Sequence, residues 1–200
     1  MKEEWDQRYA ADEYYYGKDP NPYFKERIDS LVPGRIVMPA DGEGRNGVYA
    51  ASRGWQVTSI DFSEEGRRKA LKLAEELRTS LDYQIADLTT FDYGTEKNEA
   101  IGLVYAHFYP DIRQSVHRKL LRSLKPGGHI ILEAFNKRQI NNPGGHGGPP
   151  DVERLYTVDI LMEDFKEMDI LELEEYRIGL DAGKGHSGES EVIRFFGRKR

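Results

Sequence analysis

The sequence predicts an α/β protein with a mostly parallel sheet and helices on both faces. Three observations carry that expectation. Residues 35–61, RIVMPADGEGRNGVYAASRGWQVTSID, read as strand, glycine turn, helix, strand and terminal carboxylate. Helical and strand-like patterns keep alternating from residue 64 to residue 135, which calls for crossover connections and so for parallel pairing. The last two strand-like runs, ILELEEYRIGL and SEVIRFFGRKR, have no helix between them and predict an antiparallel hairpin at the end of the sheet.

Taken in order, Trp5, Arg8 and Tyr9 recur at helical spacing, as do Tyr23, Phe24, Ile28 and Leu31 after the turn at 19–22. Two short helices therefore precede the first strand. The stretch DEYYYGKDPNPYF gathers Tyr14, Tyr15, Tyr16, Tyr23 and Phe24. Such a cluster serves either as a lid, whose ring faces attract a cation, or as a staple fixing the N-terminal segment to the body. Pro33-Gly34 breaks the second helix and launches strand Ile36, Val37, Met38. At Gly42 and Gly44 the backbone can pass close to a ligand where a Cβ would collide with it. The helix at 64–78 has Ala70, Leu73, Ala74 and Leu77 on one face, Ser63 as N-cap and two acids in its first turn. Tyr83, Ile85 and Ala86 make a third strand that stops at Asp87-Leu88, and residues 99–106 make a fourth. Pro110 opens a helix through Ile112, Val116, Leu120, Leu121 and Leu124, and LKPGG turns into a fifth strand at 129–135. Residues 136–151 crowd glycine and proline into a segment leaving a strand tip, expected to be a flexible lid loop; residues 156–168 read as a helix.

A chain of 200 residues is expected to form a single domain, 1–200, with residues 1–32 as a helical cover. Its charged fraction of 32% fits a globular protein rather than a disordered one, and its net charge of −6 gives no footprint for nucleic acid. Cysteine is absent, which excludes disulfides, thiolate metal sites and cysteine nucleophiles. The five histidines show no metal-site spacing. No apolar run is long enough to span a bilayer, and a cytoplasmic location is expected.

Gly42, Gly44 and Gly47 match GxGxxG, the pattern that seats a pyrophosphate on helix amides. Asp41 and Glu43 in the same turn would repel a pyrophosphate, so the turn suits the cationic sulfonium of S-adenosylmethionine better than NAD. Alternatively, the acids merely favour the helix start. Asp61, at the tip of the second strand, is placed to accept hydrogen bonds from two ribose hydroxyls. Asp87 falls on the same sheet edge, either as an acceptor for an adenine amino group or as a turn aspartate.

WDQRY with YYGKDPNPY, DGEGRNGVYAASRGWQVTSIDFS, the ADL at 86–88, LKPGGHIILEAF and GHSGESEVIRFFGRK together resemble the class I S-adenosylmethionine-dependent methyltransferases of the tellurite-resistance and thiopurine methyltransferase-like subgroup. The likeness spans essentially the whole chain. It implies a Rossmann-like, seven-stranded sheet with an antiparallel last strand, and methyl transfer to a small-molecule acceptor. Residue by residue, it implies that Ala40, Asp41, Gly42 and Gly44 face the methionine moiety. Asp61 would hold the ribose with Phe62 beside the adenine, Asp87 and Leu88 would contact the adenine, and Arg8 and Tyr16 would form the N-terminal cover. Tyr105, Ala106 and His107 would lie beneath the methyl donor. The family's acid and glycine at the end of the first strand are replaced here by Met38-Pro39-Ala40, with Asp41 as a shifted carboxylate. In-line displacement needs no covalent intermediate, so alignment and desolvation suffice unless the acceptor retains a proton. Tyr105 and His107 are then the catalytic candidates, with His146 and His186 as further imidazoles; packing roles are open for each. His117 and His129 read as helix surface and strand start. A methyltransferase-like fold that binds a metabolite without catalysis, or an NAD-dependent oxidoreductase, are the competing readings.

Overall fold

The computed structural model describes residues 2–200. Five strands follow the apolar runs and pair in parallel: β1 (Arg35–Pro39), β2 (Gln56–Asp61), β3 (Asp82–Ile85), β4 (Asn98–Val104) and β5 (Leu124–Phe135). Alternate residues separate to the two faces, as the two-residue period of a strand requires. Val37, Ile101, Leu103, Ile130 and Leu132 enter one core, whereas Ile36, Met38, Ala100 and Ile131 enter the other. Burying each Val, Ile, Leu or Phe contributes about 1.5–3 kcal/mol, so both faces of the sheet are strongly committed to a helical layer.

The helices are α1 (Lys2–Tyr9), α2 (Pro22–Asp29), α3 (Arg45–Ser52), α4 (Glu64–Glu76), α5 (Pro110–Ser123) and α6 (Val158–Asp164). Their starts carry the predicted caps. Ser63 accepts from the Gly66 amide at 3.0 Å, and prolines open α2 and α5, where no amide is needed. The expected first helix is present; Met1 lies outside the described residues.

Strand order is β3-β2-β1-β4-β5-β8, with β8 (His186–Lys199) antiparallel to β5 and to the outer strand β7 (Met168–Ala182). The terminal hairpin is longer than predicted, leaving only residues 183–185 as its turn. The sheet has eight strands rather than seven. Pairing of β5 with β8 ends at Phe135 and Val192, and the overhanging stretch of β8 recruits β6 (Gly145–His146) from the Gly/Pro-rich segment. That segment also holds a 3-10 turn at Lys137–Asn141 and is tied to β8 by Asn142 Nδ2 donating to the Glu189 carbonyl at 2.6 Å.

Three local expectations are corrected. His117 is not on a helix surface: it is buried, with Nδ1 2.8 Å from Asp164 Oδ2. Leu77 does not join the buried face of α4 but lies 50% exposed past its end, while Lys69, which no apolar pattern marks, is buried. The helix expected at 156–168 shortens to α6, because Tyr156 and Met168 belong to the core rather than to a helical stripe. The order in which strands are added reverses between β1 and β4, parallel neighbours in the sheet, and the crevice outside their carboxyl ends is where open α/β sheets take ligands.

Candidate active site

The turn after β1 is built from left-handed backbone. Ala40, Gly42 and Gly44 have φ of 55°, 55° and 81°. Pro39 supplies no amide, but the Ala40 amide donates to the Ile60 carbonyl at 2.7 Å and keeps the tip of β1 tied to β2. Tyr105, at the tip of the adjacent β4, also has positive φ, 54°. Strained non-glycine residues at two neighbouring strand tips mark this edge as functional ground.

Asp61 closes β2 beneath the turn and is 9% exposed. Its Oδ2 accepts from the Gly42 amide at 2.9 Å and its Oδ1 from the Ser63 amide at 3.0 Å. Burial pushes its carboxyl above the usual range, and the amides of Ser63, Gly42 and Phe62 oppose that shift. Of about four acceptor positions on a carboxylate, two remain for donors outside the protein. A pair of ribose hydroxyls fits that remainder. Phe62, Ala40 and Asp41 beside it are half-buried.

The two acids of the turn do not act as the sequence suggested. Glu43 turns away from the crevice to pair with buried Lys69 at 2.8 Å and to accept the amides of Tyr15 and Tyr16 at 3.0 and 3.2 Å. Its charge is neutralised by Lys69, so the electrostatic argument against a pyrophosphate loses half its basis. Asp41 bonds Ser59 Oγ at 2.6 Å and the Gly47 amide at 3.3 Å. Burial, with a contribution from the Asp61 carboxylate, pushes its pKa up to about 7 against the pull of those two donors. Gly47 is glycine for packing: a Cβ there would lie 2.2 Å from Asp41 Oδ2.

The N-terminal segment roofs the turn. Tyr9 is buried, and its hydroxyl lies 2.7 Å from where a Cβ on Gly42 would be. Arg8 stacks on Trp5 at 4.3 Å and on Tyr15 at 5.5 Å, and Tyr16 lies against His186 with ring centroids 4.5 Å apart. The tyrosine cluster divides between the two expected roles. Tyr14 donates to the Lys69 carbonyl and Tyr23 is buried in the core, as staples, while Tyr9 and Tyr16 cover the crevice.

The opposite wall holds both catalytic candidates in hydrogen bonds. Tyr105 donates to Glu133 Oε1 at 2.8 Å, and the same carboxylate accepts from Asn21 at 2.6 Å and from Arg194 at 2.7 Å. Burial and Glu133 hold the Tyr105 phenol well above its ordinary pKa, so it keeps its proton. His107 has both ring nitrogens engaged, Nδ1 with the Arg154 carbonyl at 2.9 Å and Nε2 with the Phe135 amide at 3.3 Å. Nδ1 therefore carries the proton, and burial pulls the pKa down to about 4. Neither group is free to take a proton from an acceptor. Ala106 is buried, and its carbonyl accepts from Tyr156 at 2.9 Å.

Asp87 is exposed and uses one oxygen in a turn, accepting the amide and hydroxyl of Thr89, both at 2.7 Å. The Leu88 side chain is core, leaving only its backbone for a ligand. Sequence reasoning missed Tyr9, Arg45 and Glu133 as parts of this edge. Their only signals were proximity to WDQRY, to the glycine turn and to the end of the fifth strand. A cavity of about 610 Å³ opens at the other end of the strands, among Arg35, Trp55, Asp82 and Lys97, and shares none of these residues.

Comparison with known proteins agrees with the geometry. Residues 36–128 match the protein family described as "Methyltransferase domain". Thiopurine S-methyltransferase of Vibrio cholerae serotype O1 is 25% identical over 167 residues, covering 74% of this chain and 77% of that protein. The structure of TehB from Haemophilus influenzae is similar over 100% of this chain and 67% of its own, with a TM-score of 0.72 at 15% identity. That of 1,6-didemethyltoxoflavin-N1-methyltransferase from Burkholderia thailandensis, with 1,6-didemethyltoxoflavin and S-adenosylhomocysteine bound, covers 99% of this chain and 86% of its own, with a TM-score of 0.70 at 16% identity. Residues 36–128 therefore carry a match to a methyltransferase domain, and the chain shares its fold with solved methyltransferase structures.

Proposed function

We propose that the protein methylates a small molecule held between the N-terminal cover, residues 1–32, and the Gly/Pro-rich segment 136–151, which acts as a lid. The observation that carries this reading is Asp61: a buried carboxylate at the tip of β2, fixed by two backbone amides, with acceptor capacity left over. S-adenosylmethionine, when bound, supplies an electrophilic methyl group on a sulfonium. Asp61 would hold its ribose, Phe62 and the Leu88 backbone its adenine, and the left-handed turn at Gly42 its amino-acid end. Tyr9 and Tyr16 exclude water from the crevice, which strengthens every charge interaction inside it. With Tyr105 and His107 committed to the wall, neither of them takes a proton, which favours an acceptor that reacts in an already unprotonated form.

Isothermal titration with S-adenosylmethionine tests the first half, with NADH as the control. Saturable binding of the former and none of the latter is expected; the reverse would overturn the reading. The commitment of both catalytic candidates to structural bonds gives weight to a second reading, a fold that binds the cofactor without transferring its methyl group. Turnover of any thiol, amine or chalcogenide in a methylation panel would exclude it.

A further inference from the structure

Asp61 is aimed by a backbone unit that is itself held at both ends. Gly42 donates its amide to Asp61 Oδ2 at 2.9 Å, while its carbonyl accepts from the Tyr83 hydroxyl. The residue has left-handed backbone, φ 55°, within the run DGEG at 41–44. Backbone this rich in glycine has many conformations open to it, so the one it keeps has to be imposed by its surroundings. That choice decides whether the Gly42 N–H faces Asp61 at all.

Sheet register explains how Tyr83 reaches the turn. It pairs with Ser59 across β3 and β2, and Asp61 follows Ser59 by one strand period, so the three side chains share one face of the sheet. From that face Ser59 donates to Asp41 at 2.6 Å, Asp61 accepts the Gly42 amide, and Tyr83 donates to the Gly42 carbonyl. Tyr83 is buried, and burial with the nearby Asp61 and Asp41 carboxylates holds its phenol well above the ordinary pKa. It therefore keeps its proton and stays a donor. Gly66 is a second, independent observation. It lies in the first turn of α4, where a Cβ would sit 2.7 Å from the Gly42 carbonyl oxygen and 3.1 Å from its carbon. The carbonyl is thus confined between the Tyr83 hydroxyl and the bare Cα of Gly66.

We propose that Tyr83 is a positioning residue for ribose recognition: with the Gly66 backbone it fixes Gly42, and Gly42 in turn aims the Asp61 carboxylate. This rests on the methyltransferase reading above and deepens it, by assigning a role in cofactor selectivity to a side chain that acts only through the turn. Asp61 is oriented by two amides from different elements, Gly42 after β1 and Ser63 after β2. Loss of the first leaves the carboxylate free to tilt about the second. Hydrogen bonds weaken steeply as they leave linearity, so the loss falls on the ribose hydroxyls rather than on the rest of the ligand.

The test is calorimetric titration of the full chain with S-adenosylhomocysteine and with its 2′-deoxyribose analogue. The unaltered protein is expected to bind the former about tenfold or more tightly, the scale of a hydrogen bond to a charged group. Tyr83→Phe keeps the ring and removes only the hydroxyl. It should shrink the preference to about threefold or less, while the deoxy analogue stays within about twofold of its original affinity. Gly66→Ala, which displaces the same carbonyl from the α4 side, should do likewise, so the outcome does not hang on one variant folding. Equal weakening of both ligands would reduce Tyr83 to general packing and overturn the proposal, as would an undiminished preference in the variants. Binding of S-adenosylhomocysteine to the unaltered protein with no preference over the deoxy analogue overturns the assignment of the ribose to Asp61, and the proposal with it. Failure of S-adenosylhomocysteine to bind the unaltered protein at all overturns the methyltransferase reading itself.

Discussion

Replacing Asp41 by Asn removes a carboxyl whose charge changes near neutral pH. In the folded chain its pKa stands near 7 against an ordinary 3.8, because burial and Asp61 disfavour the anion. A raised folded pKa means that Asp41 stabilises the fold fully below about pH 4, and that this stabilisation is lost as pH rises through about 7. At about 1.4 kcal/mol per pH unit over that interval, ionising Asp41 costs on the order of 4 kcal/mol. Asn preserves the local geometry, since its carbonyl accepts from Gly47 and its amide donates to Ser59 Oγ, although both bonds weaken without the charge. A net gain of about 2 kcal/mol at pH 8 is therefore reasonable, or about 4–8 °C in melting temperature for a chain of this size. The assay is urea unfolding of both proteins from pH 4 to pH 9. The difference between the two stability curves cancels every other titrating group. It should rise in favour of Asp41→Asn across pH 4–7 and then level off. A flat difference would show that Asp41 ionises normally, and with it the reasoning about a desolvated carboxyl under the turn would fail. Titration with S-adenosylmethionine offers a second readout: affinity of the unaltered protein should increase from pH 6 to pH 8 and that of Asp41→Asn should not, since a cation above the turn favours the carboxylate.

Other substitutions test the remaining elements. Asp61→Ala should weaken S-adenosylmethionine binding by about a hundredfold, the loss of two charge-assisted hydrogen bonds, measured by calorimetry; an unchanged affinity would place the ribose elsewhere. Lys69→Met strands the buried Glu43 carboxylate and should cost about 3–5 kcal/mol in urea unfolding, whereas the double change with Glu43→Leu should recover much of it. Gly42→Ala demands positive φ of a residue with a Cβ and drives that atom against the Tyr9 hydroxyl. A loss of about 1–2 kcal/mol is expected, together with greater accessibility of Tyr9 to nitration. His107, with its pKa near 4 and both nitrogens bonded, should contribute no ionisation between pH 6 and pH 8 to any methyl-transfer rate profile; a limb in that range abolished by His107→Gln would restore it as a base.

Sequence pattern by itself determined the α/β class, the five parallel strands, the caps at Ser63 and Pro110, and the placing of Gly42 and Asp61 on one edge. Those features are local: strand and helix periods, the conformational freedom of glycine and the chemistry of a cap are all written within a few residues of where they act. What the sequence left undecided was the direction and partnership of the charged and aromatic side chains. Glu43 looked like a ligand-facing acid until Lys69, 26 residues away on α4, was found beside it. Tyr105 and His107 looked free until the tip of β5 and residue 154 closed around them. His186 became buried only where the hairpin, the N-terminal cover and the Gly/Pro-rich segment met over one ring. Each of these is a desolvated polar group whose energy depends on partners distant in the chain, and burial, which sets both pKa and availability, exists only once the fold has brought those partners together.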